Sequence, residues 1–229
     1  MFGKTIPLFK LFGFEVKIDL SWIVIAVLIT WSLAKGVFPH YYGGLSPAAY
    51  WWMGIFGALG LFFSIIFHEL CHSLVARRFN LPMKGITLFI FGGVAEMEEE
   101  PPSPAAEFFM AVAGPLASIL IGIVLYVIRF IGQAGNWPEL ATGVFGYLSY
   151  LNFLLAGFNL LPAFPLDGGR VFRSALWGWK KNLKWATRIA SRIGSGFGLL
   201  LIFFGVLYII RGAFISGMWW FLIGLFLRN

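Results

Sequence analysis

Long apolar runs constrain the fold of this chain more than any other feature of its sequence. Apolar residues make up 59% of the 229 positions, whereas charged residues make up only 12%. A soluble domain carries about 25% charged residues. Crossing the hydrocarbon of a bilayer as a helix takes roughly 20 apolar residues in a row. The sequence therefore predicts a polytopic membrane protein embedded in the lipid bilayer.

Six apolar segments reach or approach the length of a membrane span. They cover residues 20–34, 48–76, 105–131, 140–161, 195–210 and 213–227. The last two are short and are joined only by Arg211 and Gly212, which favours a tight hairpin. We expect an all-α membrane protein of about six transmembrane helices. We also expect a single domain over residues 1–229, with no additional regulatory domain.

Two connections between the spans are more than simple loops. Residues 85–97 are β-prone and interrupted by a glycine pair, which predicts a short β-hairpin or strands after the second helix. Such backbone reaches membrane depth only where protein or water satisfies its hydrogen bonds. Residues 176–192 combine tryptophans with basic residues, which predicts one helix resting on the cytosolic interface.

The basic residues indicate the orientation of the chain. With the N-terminus inside, fourteen of the 17 Lys and Arg residues fall on the cytosolic side. This bias predicts that both termini face the cytosol of a multi-pass cell-membrane protein. It also accounts for the net charge of +7 without nucleic acid as a partner.

The second span contains the motif His68-Glu69-Leu70-Cys71-His72 near its cytosolic end. On a helix, residues i and i+4 share one face, so the two imidazoles can bind one metal ion. Glu69 is rotated about 100° from His68 on the helix, a position from which it can take a proton from a metal-activated water. Ionisable side chains are costly at membrane depth, which favours a functional site over incidental histidines.

A catalytic zinc needs a third protein ligand and one open position. The only other histidine, His40, lies in the opposite loop, so the third ligand should be a carboxylate or Cys71. Asp167 is the best candidate because it follows the fourth span, which ends on the same side of the membrane as the second. Pro162 and Pro165 end that helix, and the glycines after Asp167 let the backbone turn.

The two motifs together resemble the site-2 proteases, a family of intramembrane zinc metalloproteases. The first is His-Glu-x-x-His, and the second is Asn-x-x-Pro-x-x-x-Leu-Asp-Gly, which runs from Asn159 to Gly168. The sequence Gly-Gly-Val-Ala at 92–95 and Ala-Gly-Pro at 113–115 also fit the family's core. The likeness covers nearly the whole chain.

The resemblance implies a six-helix core that binds one Zn²⁺ and cuts membrane-anchored substrates within or near their transmembrane helix. It implies His68, His72 and Asp167 as metal ligands and Glu69 as general base. Asn159 would lie near the substrate peptide or the oxyanion. The strand residues, which are Gly92, Gly93, Val94 and Ala95, would pair with an unwound segment of the substrate.

Several alternatives stay open at this point. Cys71 stands where relatives commonly have glycine, so a thiolate contact with the metal is one of them. Two histidines and a carboxylate also suit iron(II). A non-proteolytic metal-binding membrane protein or transporter would need the ligands but no base, and the intact Glu69 argues against it. A fourth alternative is a hydrolase of soluble or lipidated peptides.

Overall fold

The computed structural model describes residues 5–89, 92–97 and 99–228, most of which are helical. A π-helical turn, Leu33–Val37, connects the first helix to the second. The elements in chain order are β1 (Thr5–Leu11), β2 (Phe14–Asp19), α1 (Leu20–Ser32), α2 (Phe38–Tyr41), α3 (Pro47–Arg78), β3 (Met83–Phe89), β4 (Gly92–Met97), α4 (Pro104–Ala134), α5 (Glu139–Asn159), α6 (Asp167–Lys180), α7 (Leu183–Ile210) and α8 (Phe214–Arg228).

Among the described residues, five helical stretches are long and apolar enough to cross a membrane, and α8 adds a shorter apolar stretch, Phe214–Leu225. The five are Leu20–Tyr41, Pro47–Arg78, Pro104–Ala134, Glu139–Asn159 and Leu183–Ile210. Many of their large apolar side chains are exposed, as expected where lipid covers them. The prediction of a helical membrane protein with strands after the second long helix is confirmed.

The chain divides into two compact units. The first comprises the chain up to Glu100 together with Ala113–Ala156, and the second comprises Pro101–Val112 together with the chain from Gly157 onwards. The first unit contains the sheet and the long helix α3, and the second contains α6, α7 and α8.

Helix α3 has clear start and stop signals. Ser46 caps its N-terminus by accepting a hydrogen bond from the Ala49 N–H at 3.2 Å, and Pro47 occupies the first turn. Arg77 and Arg78 lie in its last turn, where basic side chains favour the helix dipole. With 32 residues the helix is about 48 Å long, more than the hydrocarbon thickness.

The strands form a four-stranded sheet in the order β1-β2-β3-β4. Strands β3 and β4 pair antiparallel, with Leu88 opposite Gly93, which is the hairpin that the sequence predicts. Strands β1 and β2 form a second antiparallel hairpin, and β2 pairs parallel to β3 through Val16 and Ile86. This N-terminal half of the sheet was not predicted.

The sheet packs against the part of α3 that carries the histidines. Phe14 from β2, Ile86 from β3 and Leu70 from α3 form one buried cluster. Gly85 has a φ of +143°, and an added Cβ there would collide with the carbonyl oxygen of Glu15. Glycine is therefore needed where β3 approaches β2, and this approach holds the sheet beside α3.

In the second unit, α6 and α7 are separate helices. Lys181 ends α6 in the left-handed conformation with a φ of 54°, and the Asn182 side chain caps α7 by accepting from the Trp185 N–H at 3.0 Å. The expectation of one interfacial helix over 176–192 is therefore wrong, because a turn at 181–182 interrupts it. Helix α7 accordingly begins at Leu183, ahead of the apolar run at 195.

Helices α7 and α8 pack through glycines that let their backbones approach closely. An added Cβ on Gly205 would lie 2.7 Å from the Phe221 nitrogen and 2.8 Å from the Gly217 oxygen. One on Gly198 would lie 2.7 Å from the Gly224 oxygen. The predicted hairpin of the last two apolar segments is thus held by main-chain contact at two levels.

We expect Gly205→Val to destabilise this helix pair by about 1–3 kcal/mol, because the added carbons overpack the contact. The measurement is the melting temperature of the purified protein in detergent. Gly196→Val is the matched control, since an added Cβ at Gly196 meets nothing within 4 Å. Equal melting temperatures for the two variants would contradict the close packing.

Candidate metal centre

Two histidines on α3 face each other inside the first unit. His68 and His72 are one helical turn apart and have only 3% and 5% of their surface exposed. Their Nε2 atoms lie 3.1 Å apart, and the ring planes meet at 76°. Two imidazoles on one tetrahedral zinc, with bonds of about 2.0–2.1 Å, place their nitrogens roughly 3.3 Å apart. The observed geometry therefore fits a shared ion.

Ser118 on α4 orients the first histidine. Its hydroxyl oxygen lies 2.9 Å from Nδ1 of His68, and Ser118 is fully buried. With Nδ1 engaged in this hydrogen bond, Nε2 is the nitrogen left for a metal. Such partners fix the ring orientation of ligand histidines and raise their basicity.

Gly114 brings the backbone of α4 against the tips of both rings. It lies one turn before Ser118, and an added Cβ would collide with Nε2 of His68 and with Nε2 of His72. Any side chain here would occupy the space next to the two Nε2 atoms. The glycine therefore does more than allow close helix packing, because it leaves that space open.

Glu69 follows His68 on α3 and is half-buried. Strand β4 lies against its side chain, since an added Cβ on Gly93 would be 2.8 Å from Cγ of Glu69 and 3.1 Å from Cγ2 of Ile65. The backbone of β4 thus passes directly over the carboxylate-bearing side chain. A residue larger than glycine at position 93 would therefore displace the Glu69 side chain.

Asp167 belongs to the second unit and is the first residue of α6. It is buried, with 8% of its surface exposed, and the helix N-terminus favours its negative charge. An added Cβ on Gly168 would collide with the backbone of Leu160, and one on Gly169 with the backbone of Phe164. The two glycines therefore allow the preceding loop to lie tightly over the first turn of α6.

An ion pair holds the same loop within the second unit. Arg173 on α6 donates from Nε to the Glu107 carboxylate at 2.6 Å and also forms a salt bridge with it through Nη2. Its guanidinium lies 5.1 Å from the centre of the Phe164 ring, in the loop before Asp167. Glu107 is fully buried. Arg173 thereby connects the start of α4 to the loop.

His68 and His72 of the first unit and Asp167 of the second are buried, and each offers one atom that can bind a metal ion. Two imidazoles and one carboxylate are a donor set of catalytic zinc sites that leaves a fourth position open. Within the part of the chain that the structure describes, this group does not include Cys71. The chemistry of the residues therefore fits zinc without a thiolate.

The other predicted site residues lie on neighbouring elements. Asn159 is the last residue of α5 and is partly buried. The residues at 92–95 lie in β4, which is one of the two edge strands of the sheet among the described strands. The roles of Asn159 and of these strand residues stay predictions.

The sequence reasoning did not identify the supporting roles of Gly114 and Ser118. Their i, i+4 spacing places them on one face of α4, which indicates a packing face. Nothing in that spacing indicates which helix the face meets. The pairing of Arg173 with Glu107 was also missed, because the two residues are far apart in sequence and neither lies in a recognisable motif.

Comparisons with known proteins agree on one family. The profile of peptidase family M50 matches residues 56–137 and 131–202. A candidate zinc metalloprotease of Synechocystis, sll0528, is 40% identical over 98% of this chain and 58% of its own length. Zinc metalloprotease MJ0392 of Methanocaldococcus jannaschii is 36% identical over 89% of this chain and 54% of its own. The chain thus spans little more than half the length of these relatives.

One solved structure is similar to this chain over nearly the whole length of both proteins. The site-2 protease from Methanocaldococcus jannaschii superposes with a TM-score of 0.63 and 30% identity, over 99% of this chain and 96% of that one. The similarity therefore includes both compact units and the sheet.

We expect Gly114→Ala to lower the zinc content of the purified protein at least tenfold, because the added methyl displaces both ligand rings. The measurement is metal analysis after equilibration with limiting zinc. Gly157→Ala is the control, since an added Cβ there meets nothing within 4 Å. A Gly114→Ala protein that keeps one zinc per chain would contradict the geometry.

Proposed function

Because the chain belongs to peptidase family M50, which includes the site-2 proteases, we propose that it is a zinc-dependent endopeptidase of the membrane. Its substrates are membrane-anchored proteins, which it cuts within or near a transmembrane segment. Cleavage of this kind is the chemistry of regulated intramembrane proteolysis.

The observation that carries this proposal is the buried histidine pair on a membrane-spanning helix with a glutamate beside it. The two Nε2 atoms converge, and Glu69 is adjacent in the same helical turn. A structural role would need neither the convergence nor the carboxylate. Placing three ionisable groups within five residues of a membrane span is costly, and a bound cation offsets that cost.

We assign the metal ligands as His68, His72 and Asp167, for one zinc per chain. The donor set, the burial of all three residues and the open space at Gly114 support this assignment. When bound, zinc acts as a Lewis acid that lowers the pKa of water to about 7 and polarises a carbonyl group. The remaining chemistry belongs to the protein.

Glu69 is the proposed general base and acid. Its carboxylate takes a proton from the attacking water as that water adds to the scissile carbonyl carbon. It then gives the proton to the leaving amine as the carbon–nitrogen bond breaks. Asn159 is proposed to donate a hydrogen bond from its amide to the oxyanion or to hold the substrate peptide.

We propose that the outer edge of β4 binds an unwound segment of the substrate. A helical substrate hides its peptide bonds, so it must be extended before hydrolysis. Pairing with an edge strand supplies main-chain hydrogen bonds and accepts many sequences. The contact between Gly93 and Glu69 supports this placement, because a strand added next to β4 would run beside Glu69.

The proposed active-site opening faces the cytosol, as do both termini. The distribution of Lys and Arg between the connections supports this orientation. His68 lies near the basic end of α3, which carries Arg77 and Arg78. Water would then enter from the cytosolic side.

We expect Glu69→Gln to abolish cleavage of a membrane-anchored model substrate while about one zinc per chain is retained. The amide keeps the shape of the side chain but cannot accept a proton. The measurement is product formation by purified protein in detergent, with zinc quantified in parallel. Loss of a general base typically slows a reaction by about 10²–10⁴-fold.

Zinc removal by a chelator, followed by zinc restoration, is the control for metal dependence. If Glu69→Gln cuts as fast as the native chain, Glu69 is not the base. If the native chain holds zinc but cuts no substrate of a broad panel, the protein is a metal-binding membrane protein or transporter instead. Cleavage confined to soluble or lipidated peptides would correct the substrate class, and activity with iron(II) alone would correct the metal.

We also expect Gly93→Val to reduce kcat by about tenfold or more with the zinc content unchanged, because the new side chain displaces Glu69. Turnover at saturating substrate is the measurement. Gly43→Val is the control, since an added Cβ at Gly43 meets nothing within 4 Å. Unchanged kcat in Gly93→Val would show that β4 does not position the glutamate.

A further inference from the structure

A second polar site lies in the first unit, at the end of the helices opposite to the histidine pair. It is a cavity of about 550 Å³, a volume typical of small-molecule sites. Helix α2, the segment after it, α4 and α5 line the cavity. Its polar and small lining residues are Arg129, Gly146 and four tyrosines, Tyr41, Tyr42, Tyr147 and Tyr150.

The depth of this cavity follows from the helix ends. Arg129 lies five residues before α4 ends at Ala134, and Gly146 lies seven residues after α5 begins at Glu139. At 1.5 Å per residue these positions are roughly 8–10 Å inside the helix ends. His68 is about 30 Å along α3 from Pro47, which begins that helix at the same end. The cavity therefore lies near the headgroup level of the leaflet opposite to the histidines.

Arg129 is the charged residue of this cavity, and its guanidinium lacks a counter-ion among the described residues. Its Nε is buried and has no hydrogen-bond partner there. The guanidinium lies flat on α5, since an added Cβ on Gly146 would be 2.9 Å from Nη1. Glu139, the acidic residue at the start of α5, is exposed and forms no ion pair with Arg129 within the described part of the chain.

A cation in this position needs an anionic partner. A buried donor without one costs about 1–3 kcal/mol, and more when it is charged. The planar fork of an arginine matches the oxygens of a phosphate, which can accept from both Nη atoms at once. Tyrosine hydroxyls add donors at the level where aromatic residues border a bilayer.

We propose that this cavity binds a phosphate group, held by Arg129 and supplied by the headgroup of an anionic phospholipid. Tyr41 and Tyr150 at the rim are exposed, so the opening is accessible from the surrounding bilayer. Val37 and Phe38 give the cavity an apolar wall for the glycerol and the first acyl carbons. Free phosphate is also an anion and presents the same kind of oxygens, so it is the other source of this ligand.

The test titrates the 229-residue chain in detergent with short-chain phosphatidylglycerol and follows the melting temperature. We expect saturable stabilisation by this lipid, and stabilisation at least tenfold weaker in apparent affinity with phosphatidylcholine of equal chain length. Inorganic phosphate forms a separate arm. If it stabilises as strongly as the lipid, the site exists and its ligand is free phosphate.

Arg129→Gln should weaken the apparent affinity for phosphatidylglycerol by about 10–100-fold, because a bidentate charged contact is lost. Arg129→Lys keeps the charge and should still weaken binding, since it lacks the fork. Arg211→Gln is the matched control, an exposed arginine that should leave the affinity within about twofold of native.

Three results would overturn the proposal: no anion stabilises the native chain, Arg129→Gln responds as the native chain does, or Arg211→Gln loses as much affinity as Arg129→Gln. Native mass spectrometry provides a second readout if Arg129→Gln folds poorly. It counts phosphatidylglycerol molecules retained by the native chain and by Arg129→Lys. Equal retention by these two proteins would also contradict an arginine fork on phosphate.

Discussion

Buried hydrogen bonds of polar side chains fix the register of helices α3, α4 and α5, because hydrocarbon offers these groups no other partner. Among the described residues, a buried bond joins each pair of these three helices. Bonds of this kind contribute only about 0.6 kcal/mol each on average, so they specify helix register more than they stabilise it. The three are His68 to Ser118 between α3 and α4, Asn152 to Ser64 between α3 and α5, and Ser149 to the Gly122 carbonyl between α4 and α5. The first of them also orients a proposed metal ligand, so the helix packing and the site share one contact.

Glycines set the distances that the site needs. At Gly114 the backbone of α4 takes the place of a side chain beside the two imidazoles, and at Gly93 the backbone of β4 takes that place beside Glu69. A catalytic site requires its groups to be held within about 0.5 Å. Backbone atoms in a helix or strand move less than side chains do. Contact with backbone therefore holds a catalytic group in place without the entropy cost of ordering a second side chain.

The sequence was enough to predict the long helices and the histidine pair, because both follow from local spacing. An i, i+4 pair lies on one helix face whatever surrounds it, and His68 and His72 converge accordingly. The parallel pairing of β2 with β3 could not be predicted, since it joins Val16 to Ile86 across the whole of α3. Strand β1 is almost entirely exposed and has no periodicity that distinguishes it from a loop. The residues that Gly114 and Ser118 contact could not be predicted for the same reason. Local spacing defines a face of a helix but not the helix that packs against that face.

The ion pair of the second unit is better understood as a positioning device than as a source of stability. Removing Glu107 and Arg173 from water costs several kcal/mol for each ion, and their attraction roughly offsets that cost. Breaking the pair would nevertheless leave an uncompensated buried charge, at about 3–5 kcal/mol. The pair therefore fixes the position of Arg173, whose guanidinium lies 5.1 Å from the centre of the Phe164 ring and gives the loop a fixed group to pack on. Asp167, the third ligand that we propose, lies between the loop and Arg173 in the chain, so this contact helps to position it.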